Sequence, residues 1–208
     1  MDILIGTKNP YKTAEIRHFV EGLEGVKTHL LAEMDKVVDV DENQTTLKAN
    51  AEKKAVEISQ HTDWSVLASD GGVDIQGLGK KWDILRNQRT VGENKSDKEK
   101  VEVLIDLMRN LKGEDRKGIY HLALALARKG RLLWSFQDIS DVGYIIEEPE
   151  DSEIPPGRWM GHIWYYPRYK KTFNQMNEAE RGEIRKQGAK IKAALHGYLK
   201  GRDYENYP

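Results

Sequence analysis

The chain has no cysteine among its 208 residues. Disulfides, thiolate nucleophiles and cysteine-ligated zinc are therefore excluded. No apolar run is long enough to span a bilayer, and the start of the chain lacks the basic-then-apolar layout of a signal peptide. Net charge is also scarce. It is −1, although 32% of residues are charged, so the whole chain has no electrostatic push towards nucleic acid or membrane. There is no internal repeat and no low-complexity segment. The expectation is a soluble cytoplasmic protein with one domain over residues 1–208, long enough to bury a core.

What is present starts with Ile3-Leu4-Ile5, a short apolar run that reads as a buried strand. Gly6 follows, then Asn9 as a helix N-cap and Pro10 at the first helical position. The helix should turn Ile16, Phe19 and Val20 inward. A strand, a loop and a helix N-terminus in this order make an anion site, because free backbone N–H groups and the positive dipole end face the loop. Lys8 and Lys12 add charge there, and Thr7 and Asn9 add hydrogen bonds. An ordinary βα turn would have the same outline.

A strand is expected over 26–31, then an acidic polar stretch over 39–44. Thr45 or Thr46 can cap a helix over 47–60, on which Asn50 and Lys54 share a face. Ser65 to Ser69 reads as a strand that ends in Asp70-Gly71-Gly72. A carboxylate there suits an active site, because open α/β sheets bind ligands beyond the carboxyl ends of their strands. A turn aspartate is the plainer alternative. Ser96 and Glu99 form a capping box for a helix carrying Val101, Leu104 and Met108. Strands are expected over 119–127, 132–136 and 142–146, the first two joined by a turn at Lys129-Gly130. Trp159, Trp164, Tyr165, Tyr166 and Tyr169 lie among Arg158, Arg168, Lys170 and Lys171, a mixture able to stack a base or to pack a core. A second capping box, Asn177 with Glu180, opens a final helix whose inner stripe is Ile184, Ile191, Leu195 and Tyr198. The tail after Lys200 should fray. The order of elements gives a mixed α/β chain.

These residues resemble the inosine triphosphate pyrophosphatase family, from Ile3 to about Leu199. Thr7, Asn9, Lys12 and Glu15 match its T-x-N-x-x-K-x-x-E, and Thr46 to Ala55 resembles T-F-x-E-N-A-x-x-K-A. Ala68 to Val73 resembles A-D-D-S-G-L, and Gly143 with Ile145 fits G-x-I. The resemblance implies an elongated, twisted mixed sheet in two lobes with a central cleft, the second lobe drawn from 26–45 and 119–170. It implies Mg²⁺-dependent hydrolysis of a non-canonical or modified purine nucleoside triphosphate to the monophosphate and pyrophosphate, by a homodimer. Thr7, Asn9, Lys12 and Lys54 would hold phosphates. Asp70 would activate water or bind the metal. Trp164, Tyr165, Lys171, Lys186, Gln187 and Arg86 would line the base pocket.

The chain also departs from that pattern. Ala49 stands where the family has a metal-binding glutamate, and Ser69 stands where it has the first aspartate. Asp70 is the acid that remains, with Asp41, Glu42, Glu52 and Asp74 near in sequence. G-F-G-Y-D-P appears as His162 to Pro167, with Tyr166 for the aspartate, and S-H-R-G appears as Arg185 to Gly188. Such changes shift which base edge is accepted. A second reading is a nucleotide-binding protein with impaired catalysis, acting as a sensor or assembly subunit. A third uses the aromatic, basic final third to bind nucleic acid, against which the balanced charge argues.

Overall fold

The computed structural model describes residues 1–34 and 38–201. Among them are strands β1 (Asp2–Ile5), β2 (Lys27–Leu30), β3 (Ser65–Asp74), β4 (Lys117–Arg128), β5 (Arg131–Ile145), β6 (Trp164–Tyr166) and β7 (Lys171–Thr172). The longer helices are α1 (Pro10–Val20), α2 (Leu47–Ser59), α3 (Asn87–Val91), α4 (Asp97–Leu107), α5 (Trp159–Ile163), α6 (Glu178–Arg185) and α7 (Ala189–Lys200). One sheet has the order β2-β1-β3-β4-β5-β6-β7. The pairs β1–β2 and β1–β3 are parallel, which requires crossover connections, and α1 and α2 lie in them. The pairs β5–β6 and β6–β7 are antiparallel. The fold is therefore mixed α/β, as expected.

The chain divides into two compact units. The first holds Met1–Gly71, Leu122–Asp138 and the segment from Gly188 on; the second holds Gly72–His121 and Ile139–Gln187. The segments expected in a second lobe divide differently. β2 falls in the first unit because it pairs with β1 from Asp2↔Lys27 to Ile5↔Leu30. Residues 122–138 fall there too, and only the remainder of 119–170 belongs to the second.

In the first unit, Leu4, Leu31, Ile58 and Val66 are buried together, with Trp64 packed against them. Ile16, Phe19 and Val20 form the buried face of α1, as their spacing predicts. In the second unit, Val101, Leu104 and Met108 pack with Trp82, Trp159 and Trp164. The Ser96–Glu99 and Asn177–Glu180 capping boxes both form. Arg116 is buried and donates hydrogen bonds to the carbonyls of Met108, Leu111, Ile145 and Ile146. It thereby ties the end of α4 to the end of β5.

Three boundaries differ from the sequence expectations. β3 does not stop at Ser69 but runs through Asp70 to Asp74. Gly72 permits this, because a Cβ there would lie 2.1 Å from the carbonyl oxygen of Ile84. The strands expected at 132–136 and 142–146 are one strand, whose far end pairs with β6 through Tyr144↔Tyr165 and Ile145↔Trp164. The final helix is broken at Lys186–Gly188, ahead of α7, where glycine disfavours helix continuation. The Lys129-Gly130 turn does form, with φ of 49° and 74°, the positive values a tight hairpin needs. The tail expected to fray lies, beyond Gly201, outside the described residues. Among those residues no helix is long and apolar enough to cross a membrane.

Candidate active site

The site lies in the first unit, where β1 and β3 run side by side. Ile5 pairs with Leu67, and the Gly6 N–H donates to the Leu67 carbonyl at 2.9 Å. The loop after β1 and Asp70 on β3 therefore lie towards the same end of the β1–β3 pair. Asn9 accepts from the N–H groups of Tyr11 and Lys12 at 2.9 and 3.3 Å, closing the first turn of α1. The Thr7 hydroxyl oxygen accepts from the Asn9 N–H at 3.2 Å. The carboxamide oxygen of Asn9 thus shapes the loop, and its NH₂ is the group it can offer a ligand. Lys8 pairs with Asp39 at 2.9 Å.

Asp70 is buried. Its Oδ2 accepts from Asn50 Nδ2 at 3.0 Å, and its Oδ1 accepts from the Gly71 N–H at 2.9 Å. Burial pushes its carboxyl above the usual range, and the negative charge of Glu42 adds to this. Lys12, the Asn50 hydrogen bond and Lys54 pull the other way. Two of the expected phosphate-binding residues, Lys12 and Lys54, thus lie within electrostatic reach of Asp70. Lys54 Nζ donates to the Ser69 carbonyl at 3.1 Å and also pairs with Glu42.

Helix α2 supplies a second layer that sequence spacing only hinted at. Asn50 and Lys54 do share a face, but the partnership of Asn50 with Asp70 appears only once β3 lies beside that face. Asn50 Oδ1 also accepts from the Gln44 N–H at 2.9 Å. Lys53 Nζ donates to the Asp41 carbonyl and to Asn43 Oδ1, both at 3.0 Å. Thus Asn50, Lys53 and Lys54 draw the 41–44 stretch onto the helix, and Glu42 comes with it. Glu52 is turned elsewhere, accepting from the Ser135 hydroxyl at 2.6 Å.

The proposed base-binding residues all fall in the second unit, where their surroundings differ. Trp164 is buried in the second unit's core, where a Cβ on Gly118 or Gly143 would come within 2.5 or 2.4 Å of its ring. Neighbouring strand residues point to opposite faces, so Trp164 and Tyr165 cannot line the same wall. Trp164 as a stacking platform is therefore corrected to a core residue. Tyr166 is also buried and donates to Asp141; burial and that carboxylate raise its phenol's pKa. Lys171 is clamped by both Glu180 oxygens at 2.7 and 3.0 Å, and Lys186 pairs with Glu183 at 2.6 Å. Gln187 and Arg86 are exposed, the latter 3.9 Å from Asp83.

A divalent cation asks for oxygen ligands. Among the described residues no three His, Cys, Asp or Glu side chains cluster as a protein-made metal cage. Magnesium is usually held by one or two carboxylates together with substrate phosphates and water. Asp70 meets that lesser requirement, and so the residues present fit a cation that is shared with a polyphosphate.

The sequence profile of the Ham1 family matches residues 3–196. The chain belongs to the Ham1 family. Among curated relatives of this Ham1-family protein, the dITP/XTP pyrophosphatase of Halalkalibacterium halodurans is 28% identical over 181 residues, 87% of this chain and 90% of that enzyme. The dITP/XTP pyrophosphatase of Thermus thermophilus is 28% identical, covering 97% of this chain and 93% of its own. The structure of a HAM1 protein from Coxiella burnetii superposes with a TM-score of 0.77 at 23% identity, over 97% of this chain and all of the other. The Staphylococcus aureus Ham1 protein gives a TM-score of 0.75, also at 23% identity. These two likenesses establish the fold.

The sequence offered no sign of one further cluster. His29 is buried, with Nε2 2.7 Å from Asp2 and Nδ1 2.9 Å from Glu33, and its ring stacks on Trp64 with centroids 3.8 Å apart. The hydrogen bond to Asp2, then that to Glu33, raises the pKa of His29, and the same bonds lower those of both acids.

Proposed function

We propose that this protein hydrolyses a nucleoside triphosphate, a non-canonical or modified purine nucleotide, to the monophosphate and pyrophosphate. The observation that carries the reading is the buried Asp70, its carboxyl pushed above the usual range by burial, held by Asn50 and set in the field of Lys12 and Lys54. The names of the Ham1-family relatives support the same reaction.

In this reaction a water oxygen bonds to phosphorus across the α–β anhydride, the bridging P–O bond breaks, and pyrophosphate leaves with the bond's electrons. Asp70 takes the water's proton. A carboxylate with a raised pKa is a better base than an exposed one, which matches its role to its burial. Thr7, Asn9, Lys12 and Lys54 hold the phosphates, adding hydrogen bonds and positive charge where charge builds up in the transition state. A divalent cation such as Mg²⁺, when bound at Asp70, supplies charge neutralisation on the phosphate oxygens. Tyr165, Lys171, Lys186, Gln187 and Arg86 keep the base-selecting role that the resemblance implies. The resemblance also implies a homodimer, and the absence of cysteine suits a cytoplasmic setting.

The test is to incubate the protein with Mg²⁺ and a panel of canonical and modified nucleoside triphosphates, measuring pyrophosphate and monophosphate beside Asp70→Asn. Release that vanishes in the variant supports the reading, and release that survives removes Asp70 from it. Ala49 and Ser69 favour a second reading, a nucleotide binder without turnover. That reading takes over if a nucleotide raises the melting temperature but none is cleaved.

A further inference from the structure

β3 stays extended through Asp70-Gly71-Gly72, a run whose chemistry favours a turn, so a restraint must hold it. We propose that Asn87 is that restraint: its carboxamide stands in for a neighbouring strand and makes it a positioning residue for Asp70. The inference rests on the pyrophosphatase reading and adds to it a residue that acts only through β3.

β1 accompanies β3 from Ser65 to Leu67, and the Gly6 N–H closes this pairing on the Leu67 carbonyl. Backbone groups of alternate strand residues face the same edge, so Val73 presents its N–H and C=O on the edge that β1 has left. Asn87 takes up that edge. Its Oδ1 accepts from the Val73 N–H at 2.6 Å, and its Nδ2 donates to the Val73 carbonyl at 3.1 Å. One side-chain amide thus supplies both bonds that a strand would. The Trp82 indole N–H also donates to the Val73 carbonyl, at 2.7 Å, so the Val73 N–H is the group that depends on Asn87.

Asn87 is itself anchored. Its Nδ2 donates to the Asp83 carbonyl at 2.8 Å, and the Ile84 carbonyl of the same turn closes on Gly72. The two glycines before Val73 have no side chains to limit backbone rotation, and Gly71 stands where the A-D-D-S-G-L pattern has serine. Asp70 depends on their conformation, because its Oδ1 accepts from the Gly71 N–H. A turn at this point would swing that N–H away and leave the carboxylate held by Asn50 at one oxygen.

Asn87→Ala tests the clamp, with turnover and amide hydrogen exchange read on the intact protein well below its melting midpoint. The Val73 amide should exchange at least about tenfold faster than in the wild type. The kcat should fall about tenfold or more with KM within about twofold, because the phosphate-holding residues lie on the loop after β1, on α1 and on α2. Trp82→Phe is the control for plain destabilisation: it should lower the melting temperature yet leave kcat within about twofold, since Asn87 still holds the Val73 N–H. In a Gly71→Ser background, Asn87→Ala should cost less than about threefold in kcat, because a side chain stiffens the backbone there and Gly71 is not at positive φ. Unchanged exchange at Val73, unchanged kcat in Asn87→Ala, an equal loss of kcat in Trp82→Phe, or a full loss in the serine background would each overturn the role of Asn87 while leaving the pyrophosphatase reading intact. A wild type that cleaves no nucleotide refutes that reading, and the positioning role with it.

Discussion

Removing the Asn50 side chain should cost more stability than its single residue suggests, because it serves two partners at once. Its Nδ2 donates to the Asp70 carboxylate at 3.0 Å and its Oδ1 accepts from the Gln44 N–H at 2.9 Å. A hydrogen bond to a charged group contributes about 1.5–3 kcal/mol, and a neutral one about 0.5–1.5 kcal/mol. Alanine is the better helix former by about 0.7 kcal/mol, which offsets part of the loss. Gln44 is exposed, so water can replace its lost partner, which favours the lower figure for that bond. Asn50→Ala should therefore destabilise by about 1–3 kcal/mol in urea unfolding at neutral pH. The Asn50 bond also favours the charged form of Asp70. Its loss should raise the Asp70 pKa further and move the acid limb of the kcat/KM profile to higher pH. Asn50→Asp keeps the acceptor for Gln44 but sets a carboxylate against Asp70, so it should shift the limb further than alanine does. A loss of stability below about 0.5 kcal/mol, with an unmoved acid limb, would show that the Asn50–Asp70 contact is incidental.

Other consequences are as direct. Asp70→Asn should abolish turnover yet raise the thermal midpoint at neutral pH. The raised pKa means that the unfolded chain ionises first as pH rises, so the wild type loses stability between the usual carboxylate range and its folded value. In the variant that part of the pH dependence should vanish from a series of melting curves. His29 works from the other direction. Its stabilisation is complete below its ordinary value of 6.5 and lost as pH rises through the raised folded value, while Asp2 and Glu33 lose theirs as pH falls through their lowered values. His29→Gln should flatten the alkaline slope of stability against pH. Gly143→Ala should destabilise by about 1–3 kcal/mol through overpacking against Trp164, and the smaller ring of Trp164→Phe should recover part of the loss, read by denaturant midpoints.

The sequence was most legible where local chemistry decides the outcome. The Asn9 cap, both capping boxes and the inner face of α1 follow from residue spacing alone, and of the two threonines offered as the cap of α2 the structure uses Thr46. It was least legible where backbone packing decides. Asp-Gly-Gly reads as a turn, yet the missing Cβ of Gly72 lets β3 continue against Ile84. Trp164 looks like a stacking platform beside its basic neighbours, but Gly118 and Gly143 leave room for it inside. At the candidate site, the T-x-N-x-x-K pattern falls on the loop between β1 and α1 and on the first turn of α1, which Asn9 caps. The roles of Asn50 and Lys53 depend on how the 41–44 stretch lies against α2, and no periodicity encodes that.

The flat stacking of His29 on Trp64, at an interplanar angle of 11°, has an optical consequence. A protonated imidazole against an indole face accepts its excited electron, whereas a neutral one does so poorly. The emission of Trp64 should therefore brighten as His29 gives up its proton, and the change should disappear in Trp64→Phe against the constant background of the other tryptophans. The protein thus carries an internal fluorescent indicator of the charge on one buried histidine, readable without any label.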